Sequence, residues 1–221
     1  MKVTKKQLMT VYDRLYDTYG PRHWWPGETP FEIAVGAILT QSVAWSNVKK
    51  AIGALKEINV LSPEAIASID TDELASHIRP TLYFNMKARK LKSFCRHLLD
   101  QYGGDISALK DRPMAELREE LLDLYGIGPE TADSILLYAV GKPSFVVDAY
   151  TRRILSRMGL VPPDIGYDDL RVVFTKQLPE DADLYNEYHA LIVTLGKECC
   201  TARSPRCDNC PLAENCRKRY V

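Results

Sequence analysis

Apolar residues recur at helical spacing along nearly the whole chain, and strand-like alternation bounded by turns is absent. Leu91, Phe94, Cys95, Leu98, Leu99 and Tyr102 make one stripe, stopped by Gly103-Gly104. Met114, Leu117, Leu121 and Leu124 make a second. Phe31, Val35, Ile38 and Leu39 make a third, and Val48, Ile52 and Leu55 a fourth. About ten helices joined by short Pro- and Gly-marked turns predict an all-α protein. The 221 residues allow one domain or two small ones. No apolar run approaches the roughly 18 residues of a membrane span, and no targeting signal is visible. The expectation is a prokaryotic-type cytoplasmic protein, associated with the nucleoid.

Charge is segregated. Lys and Arg total 29 against 29 Asp and Glu, which argues weakly against a nucleic-acid partner. Yet residues 85–97 hold five basic residues (Lys87, Arg89, Lys90, Lys92, Arg96) and no acid. Residues 197–221 hold six bases and three acids, while 111–133 and 164–187 each hold seven acids and two bases. Each run alone reads as a solvated helix face.

Five of the six cysteines lie between Cys199 and Cys216. Cys200, Cys207, Cys210 and Cys216 follow a Cys-x6-Cys-x2-Cys-x5-Cys spacing, and four thiolates so close can wrap one metal centre. The Cys-poor remainder of the chain argues against a disulfide framework. Structural zinc usually takes two short pairs, and only Cys207 and Cys210 form one, so an iron–sulfur cluster suits the spans better. Zinc stays open, Cys199 is a competing first ligand, and Cys95 belongs to a core stripe.

The cysteine spacing resembles the C-terminal four-iron, four-sulfur loop of endonuclease III-type DNA glycosylases. Two further motifs agree. In LLDLYGIGPETADSILLYAV, Gly126-Ile127-Gly128 reads as a tight turn between two amphipathic helices, with Pro129 at the first position of the second. Such a turn lets backbone amides meet a phosphate. Twenty residues beyond Gly128, SFVVDAYTRRIL sets Asp148 at a helix N-cap. In this order, hairpin, aspartate and cysteine loop resemble the helix-hairpin-helix glycosylase superfamily across almost the whole chain. The resemblance implies a base-excision enzyme with a structural [4Fe-4S] cluster on Cys200, Cys207, Cys210 and Cys216. It makes Asp148 the essential carboxylate beside the oxocarbenium-like sugar.

Bifunctional members carry a lysine two residues after the second glycine. Glu130 stands there, and a carboxylate cannot form a Schiff base with the sugar. A monofunctional glycosylase with weak or absent lyase activity is therefore expected. The segment PRHWWPGETPFEIAVGAILTQSVAWSNVKKA is closer to the endonuclease III-like 3-methyladenine DNA glycosylases, and IRPTLYFNMKARKL and GIGPETAD continue the match. That resemblance implies a base pocket drawing on Trp24, Trp25, Pro26, Trp45 and Glu130. Gln41 would enter the gap left in the duplex and Tyr83 would wedge into the opposite strand. Gly126, Ile127, Gly128 and Thr131 would hold DNA backbone. No histidine is evidently placed as a general acid, and His189 reads as structural.

The expected architecture is a six-helix lobe at 29–138 with the hairpin, and a second lobe of 1–28 plus 139–221 with the cluster loop at 200–216. Double-stranded DNA carrying a damaged base is the expected partner of a monomer. Its face would collect Lys87 to Arg96, Lys142 to Arg157 and the C-terminal loop, giving a shallow salt slope. Other readings are a mismatch uracil or thymine glycosylase, an oxidised-pyrimidine glycosylase, or a non-catalytic DNA-binding protein.

Overall fold

The computed structural model describes residues 3–22, 24 and 27–221. It is built of eleven α-helices, short 3-10 turns and one π-helical stretch, with no strand among the described residues. The chain divides into two compact units, a continuous one, Trp25–Lys142, and a discontinuous one formed by residues 1–24 and Pro143–Val221. None of the described helices is long and apolar enough to cross a membrane.

The continuous unit holds seven helices around an aliphatic core. Its central element is α2 (Pro30–Leu39), where Thr29 caps the Glu32 amide and Pro30 fills the first turn. Eight of its ten residues are buried, so α2 has no solvent face. α3 (Trp45–Glu57) buries the expected Val48, Ile52 and Leu55 together with Ala51. The short α4 (Pro63–Ser68) and α5 (Thr71–His77) pack against the long α6 (Phe84–Tyr102). Leu91, Phe94, Cys95 and Leu98 of α6 are fully buried, each contributing about 1.5–3 kcal/mol by leaving water. Gly103 ends α6 at φ 59°, a conformation costly for any residue with a Cβ.

α7 (Met114–Leu122) and α8 (Pro129–Ser134) form the hairpin. The expected amphipathic second helix differs in one respect. Beyond Ser134 the chain widens into a π-helix, Ile135–Val140, and all six of its residues are buried. The reason is its neighbour, since this stretch packs against the equally apolar α2.

The discontinuous unit is organised by aromatic packing. α1 (Lys5–Tyr19) starts with a reciprocal Thr4–Gln7 capping box. It is followed after the gap by α9 (Ala149–Arg157), α10 (Tyr167–Thr175) and α11 (Ala182–Glu198). Phe145 and Phe174 stack at 3.8 Å, and Tyr185 and Tyr188 meet Phe145 edge-on. The Tyr188 hydroxyl donates to the Leu8 carbonyl at 2.7 Å, tying α11 to α1. Arg14 of α1 reaches Glu214 at 2.8 Å and the Pro211 carbonyl at 3.4 Å.

Candidate functional site

Asp148 stands where the buried run Phe145–Val147 turns into α9. Its Oδ1 accepts from the Thr151 amide at 2.7 Å and the Thr151 hydroxyl at 2.9 Å, so one oxygen is committed to capping. Its Oδ2 lies 3.5 Å from Nε2 of His189 on α11. Burial pushes the Asp148 carboxyl up, but His189 and the Thr151 donors outweigh it and hold the group below the usual carboxylate range. The result is an anion at a helix N-terminus, its Oδ1 given to the cap and its Oδ2 facing His189, suited to stabilising a nearby positive charge. Sequence reading missed this place for His189. The two residues are 41 apart, and only the packing of α9 on α11 brings them together.

The expected base-pocket residues fall in both units. Trp24 belongs to the unit with Asp148, and the Lys197 ammonium of α11 stands 5.3 Å from its ring centroid. Lys197 has no counterpart in the sequence reading, because no motif joins an N-terminal indole to a lysine at the end of α11. Trp25 and Pro26 lie outside the described residues. Trp45 opens α3 in the other unit and presses on α2, where a Cβ at Gly36 would sit 3.1 Å from its Cη2. Glu130 is exposed in the first turn of α8.

Gly126 makes the hairpin turn at φ 76°, and the stem of Lys90 lies so close that any Cβ there would collide with it. Gln41 follows the end of α2. Its amide nitrogen donates to Thr131 Oγ1 at 2.9 Å and to the Gly126 carbonyl at 3.2 Å, and its Oε1 accepts from the Lys90 ammonium. Ile127 is buried, whereas Gly128 caps α8 from an exposed position. Tyr83 is 64% exposed beside Leu82 at 54%, and both hold positive φ. Two exposed apolar side chains on strained backbone are a feature to expect of a contact surface.

The expected basic face needs correction. Lys87 and Lys92 are buried, not solvated. The Lys87 ammonium donates to the carbonyls of Leu39 at 2.8 Å and Thr81 at 2.5 Å, and Lys92 donates to the Ile69 carbonyl. Burial, helped by the neighbouring Lys90 charge, pushes Lys87 down to about 8. Burial also lowers Lys90. Of the five bases of the run, only Arg89 and Arg96 are exposed. In the second run, Lys142 donates to the Lys110 carbonyl at 2.9 Å. Arg153 binds the carbonyls of Cys200 and Gly196, each at 2.9 Å. Arg157 binds those of Thr201 at 2.7 Å and Ala202 at 2.9 Å. These side chains shape the protein's own loops before they could meet any ligand.

Cys200, Cys207, Cys210 and Cys216 line one small cavity together with Cys199, Arg157 and Lys218. Four thiols gathered around one cavity are a donor set that an iron–sulfur cluster can take. Arg157 Nη1 lies 3.4 Å from Cys200 Sγ, a cation placed where ligand thiolates accumulate negative charge. Cys199 lines the same cavity, and its thiol donates to the Arg206 carbonyl at 3.1 Å.

Comparison with known families decides the identity. The profile of the HhH-GPD superfamily of base excision DNA repair proteins matches residues 35–180. The chain belongs to this superfamily. The iron–sulfur binding domain of endonuclease III matches residues 200–216, so this glycosylase carries the [4Fe-4S] motif of that family. It is a DNA N-glycosylase, a hydrolase with DNA as its partner. A Methanocaldococcus jannaschii protein, named as a candidate DNA repair glycosylase, is 45% identical over 218 residues, covering 98% of this chain and 99% of its own. The glycosylase fold also superposes on a non-covalent endonuclease III–DNA complex with TM-score 0.84, at 27% identity over 98% of this chain and 96% of the other. An H. pylori 3-methyladenine DNA glycosylase bound to 1,N6-ethenoadenine gives TM-score 0.76 at 29% identity, covering 89% of this chain and 98% of its own.

Proposed function

We propose that this glycosylase is monofunctional and acts, as a monomer on duplex DNA, on alkylated purines such as 3-methyladenine. The observation that carries the reading is Glu130. It occupies the exposed first turn of α8, where a lyase would need an amine. The resemblance around the Trp24-Trp25-Pro26 segment, Trp45 and the hairpin supplies the substrate class.

In this reading the target nucleotide is flipped out, and Gln41 and Tyr83 occupy the disturbed duplex. Gly126, Ile127, Gly128 and Thr131 hold the backbone. The glycosidic C–N bond breaks, and its electron pair neutralises the cationic base. The sugar is left with the positive charge, which Asp148 stabilises through Oδ2. Water, oriented by Asp148, then adds its oxygen to C1′, and its surplus proton passes through the Asp148 carboxylate to solvent. An alkylated base leaves easily, so no general acid is needed on it. The [4Fe-4S] cluster, held by Cys200, Cys207, Cys210 and Cys216, supplies a structural crosslink for the basic loop.

One observation favours a second reading. Lys197 already sets a positive charge over the Trp24 ring, and a cationic base stacked there would be repelled. A neutral base, as in a mismatch uracil or thymine glycosylase, meets no such repulsion. Duplexes holding 3-methyladenine, 7-methylguanine, ethenoadenine, uracil, mismatched thymine or thymine glycol decide between them. Release of free alkyl purine without strand nicking, and without borohydride-trapped adduct, supports the first reading. Preferential release of uracil or thymine replaces it with the second. Prompt nicking at an oxidised pyrimidine defeats both.

A further inference from the structure

We propose that Lys90 is a positioning residue for Gln41, holding its side chain stretched across the hairpin in the conformation with which it enters the duplex. The inference rests on the reading that Gln41 fills the gap, and adds how it is kept ready.

Three observations converge on Lys90. Its only acceptor among the described residues is Gln41 Oε1. Its aliphatic stem crosses Gly126 so closely that glycine is required there. The other end of the Gln41 amide is bound by Thr131 Oγ1 and the Gly126 carbonyl, so all its anchors lie on the hairpin or on Lys90. A glutamine free to rotate gives up side-chain conformational freedom when fixed. Here that ordering is done before DNA arrives. Thr131 is buried and Gln41 follows a helix with eight of its ten residues buried, so both ends of the bridge stand on packed structure. Lys90 is half-buried rather than free to sweep through solvent, and its charge-assisted bond is the strongest of the three. The neighbouring Lys87 performs a separate task on the carbonyls of Leu39 and Thr81.

The test uses the full protein and needs no lesion chemistry. Affinity is measured for a duplex with a tetrahydrofuran abasic site opposite 2-aminopurine and for the intact duplex. Their ratio cancels the general loss of a positive charge. Lys90→Met keeps the stem and removes the donor, and should lower the ratio roughly tenfold, as expected of a lost charged hydrogen bond. Gln41→Ala should lower it at least as much, and Lys90→Met in the Gln41→Ala background should lower it no further. Lys90→Arg should restore most of it and recover the 2-aminopurine fluorescence change. Additive losses in the double variant, or an unchanged or higher ratio in Lys90→Met, overturn the proposal while leaving the role of Gln41 intact. An unchanged ratio in Gln41→Ala instead removes the gap-filling reading on which the proposal stands.

Discussion

The two units of this glycosylase each turn a basic run inward onto carbonyl oxygens, one with lysines and the other with arginines. In the continuous unit Lys87 closes the C-terminal end of α2 and the turn at Thr81, and Lys92 closes the end of α4. In the discontinuous unit Arg153 and Arg157 gather the segment Gly196–Ala202 that leads into the cysteine loop. The difference is chemical. A guanidinium keeps its charge at any accessible pH and satisfies several acceptors in a fixed fork, whereas a buried ammonium can shed its proton. The loop nearest the cluster is therefore fixed by groups that do not titrate. The roots of the Gln41 and Tyr83 loops are fixed by one that does.

The comparison is broken most severely at Asp148. Asn caps helices as well as Asp, so Asp148→Asn should fold normally and bind damaged duplex, while single-turnover base release falls roughly 10³–10⁴-fold. Unchanged release would show that the discontinuous unit does not hold the chemistry. Next in size is Arg157→Met, which strips a buried cation from two carbonyls and a thiol. It should cost about 1–3 kcal/mol for each carbonyl left buried without a donor in thermal denaturation, and lose the visible absorbance of the cluster. Retention of both would mean that the arginine clamp is dispensable.

Whether these inward charges could be read from sequence differs between the units. Lys87 is four residues before Leu91, in register with the buried stripe of α6, so helical phase marked it as a core position. Composition outweighed phase, because five bases without an acid resemble a solvated face. Arg157 gave no local signal, since its partners are more than forty residues away. The Asp148 cap, the Gly126 turn and the cysteine spacing were legible because each is a short motif with its own chemistry. The approach of His189 to Asp148 and of Lys197 to Trp24 depends on tertiary packing and was not.

Smaller effects sharpen the contrast within the continuous unit. Gly126→Ala imposes φ 76° on a residue with a Cβ and drives it into Lys90. We expect about tenfold weaker DNA binding by fluorescence anisotropy, with the rate of base release at saturation little changed. Lys87→Met should cost about 1–3 kcal/mol at pH 7 in urea denaturation. Its pH dependence has a definite sign. The folded protein releases the Lys87 proton near 8, while the unfolded chain keeps it to about 10.4, so the unfolded state binds more protons between those values. Stability of the unsubstituted protein should therefore rise relative to Lys87→Met from pH 8 towards 10, by up to about 1.4 kcal/mol per unit. A parallel pair of curves would remove the distinction between the lysine and arginine clamps.

The division of the chain also orders its own assembly. Residues 25–142 can complete a core from contiguous sequence as they leave the ribosome. α1, although made first, has its partners at Tyr188, Pro211 and Glu214 and must wait for them. The half of the protein bearing Asp148 is thus closed last, at about the time its cysteines become available for iron. A chain stalled before residue 185 would already present the hairpin and Gln41, yet lack both His189 and every thiol of the loop.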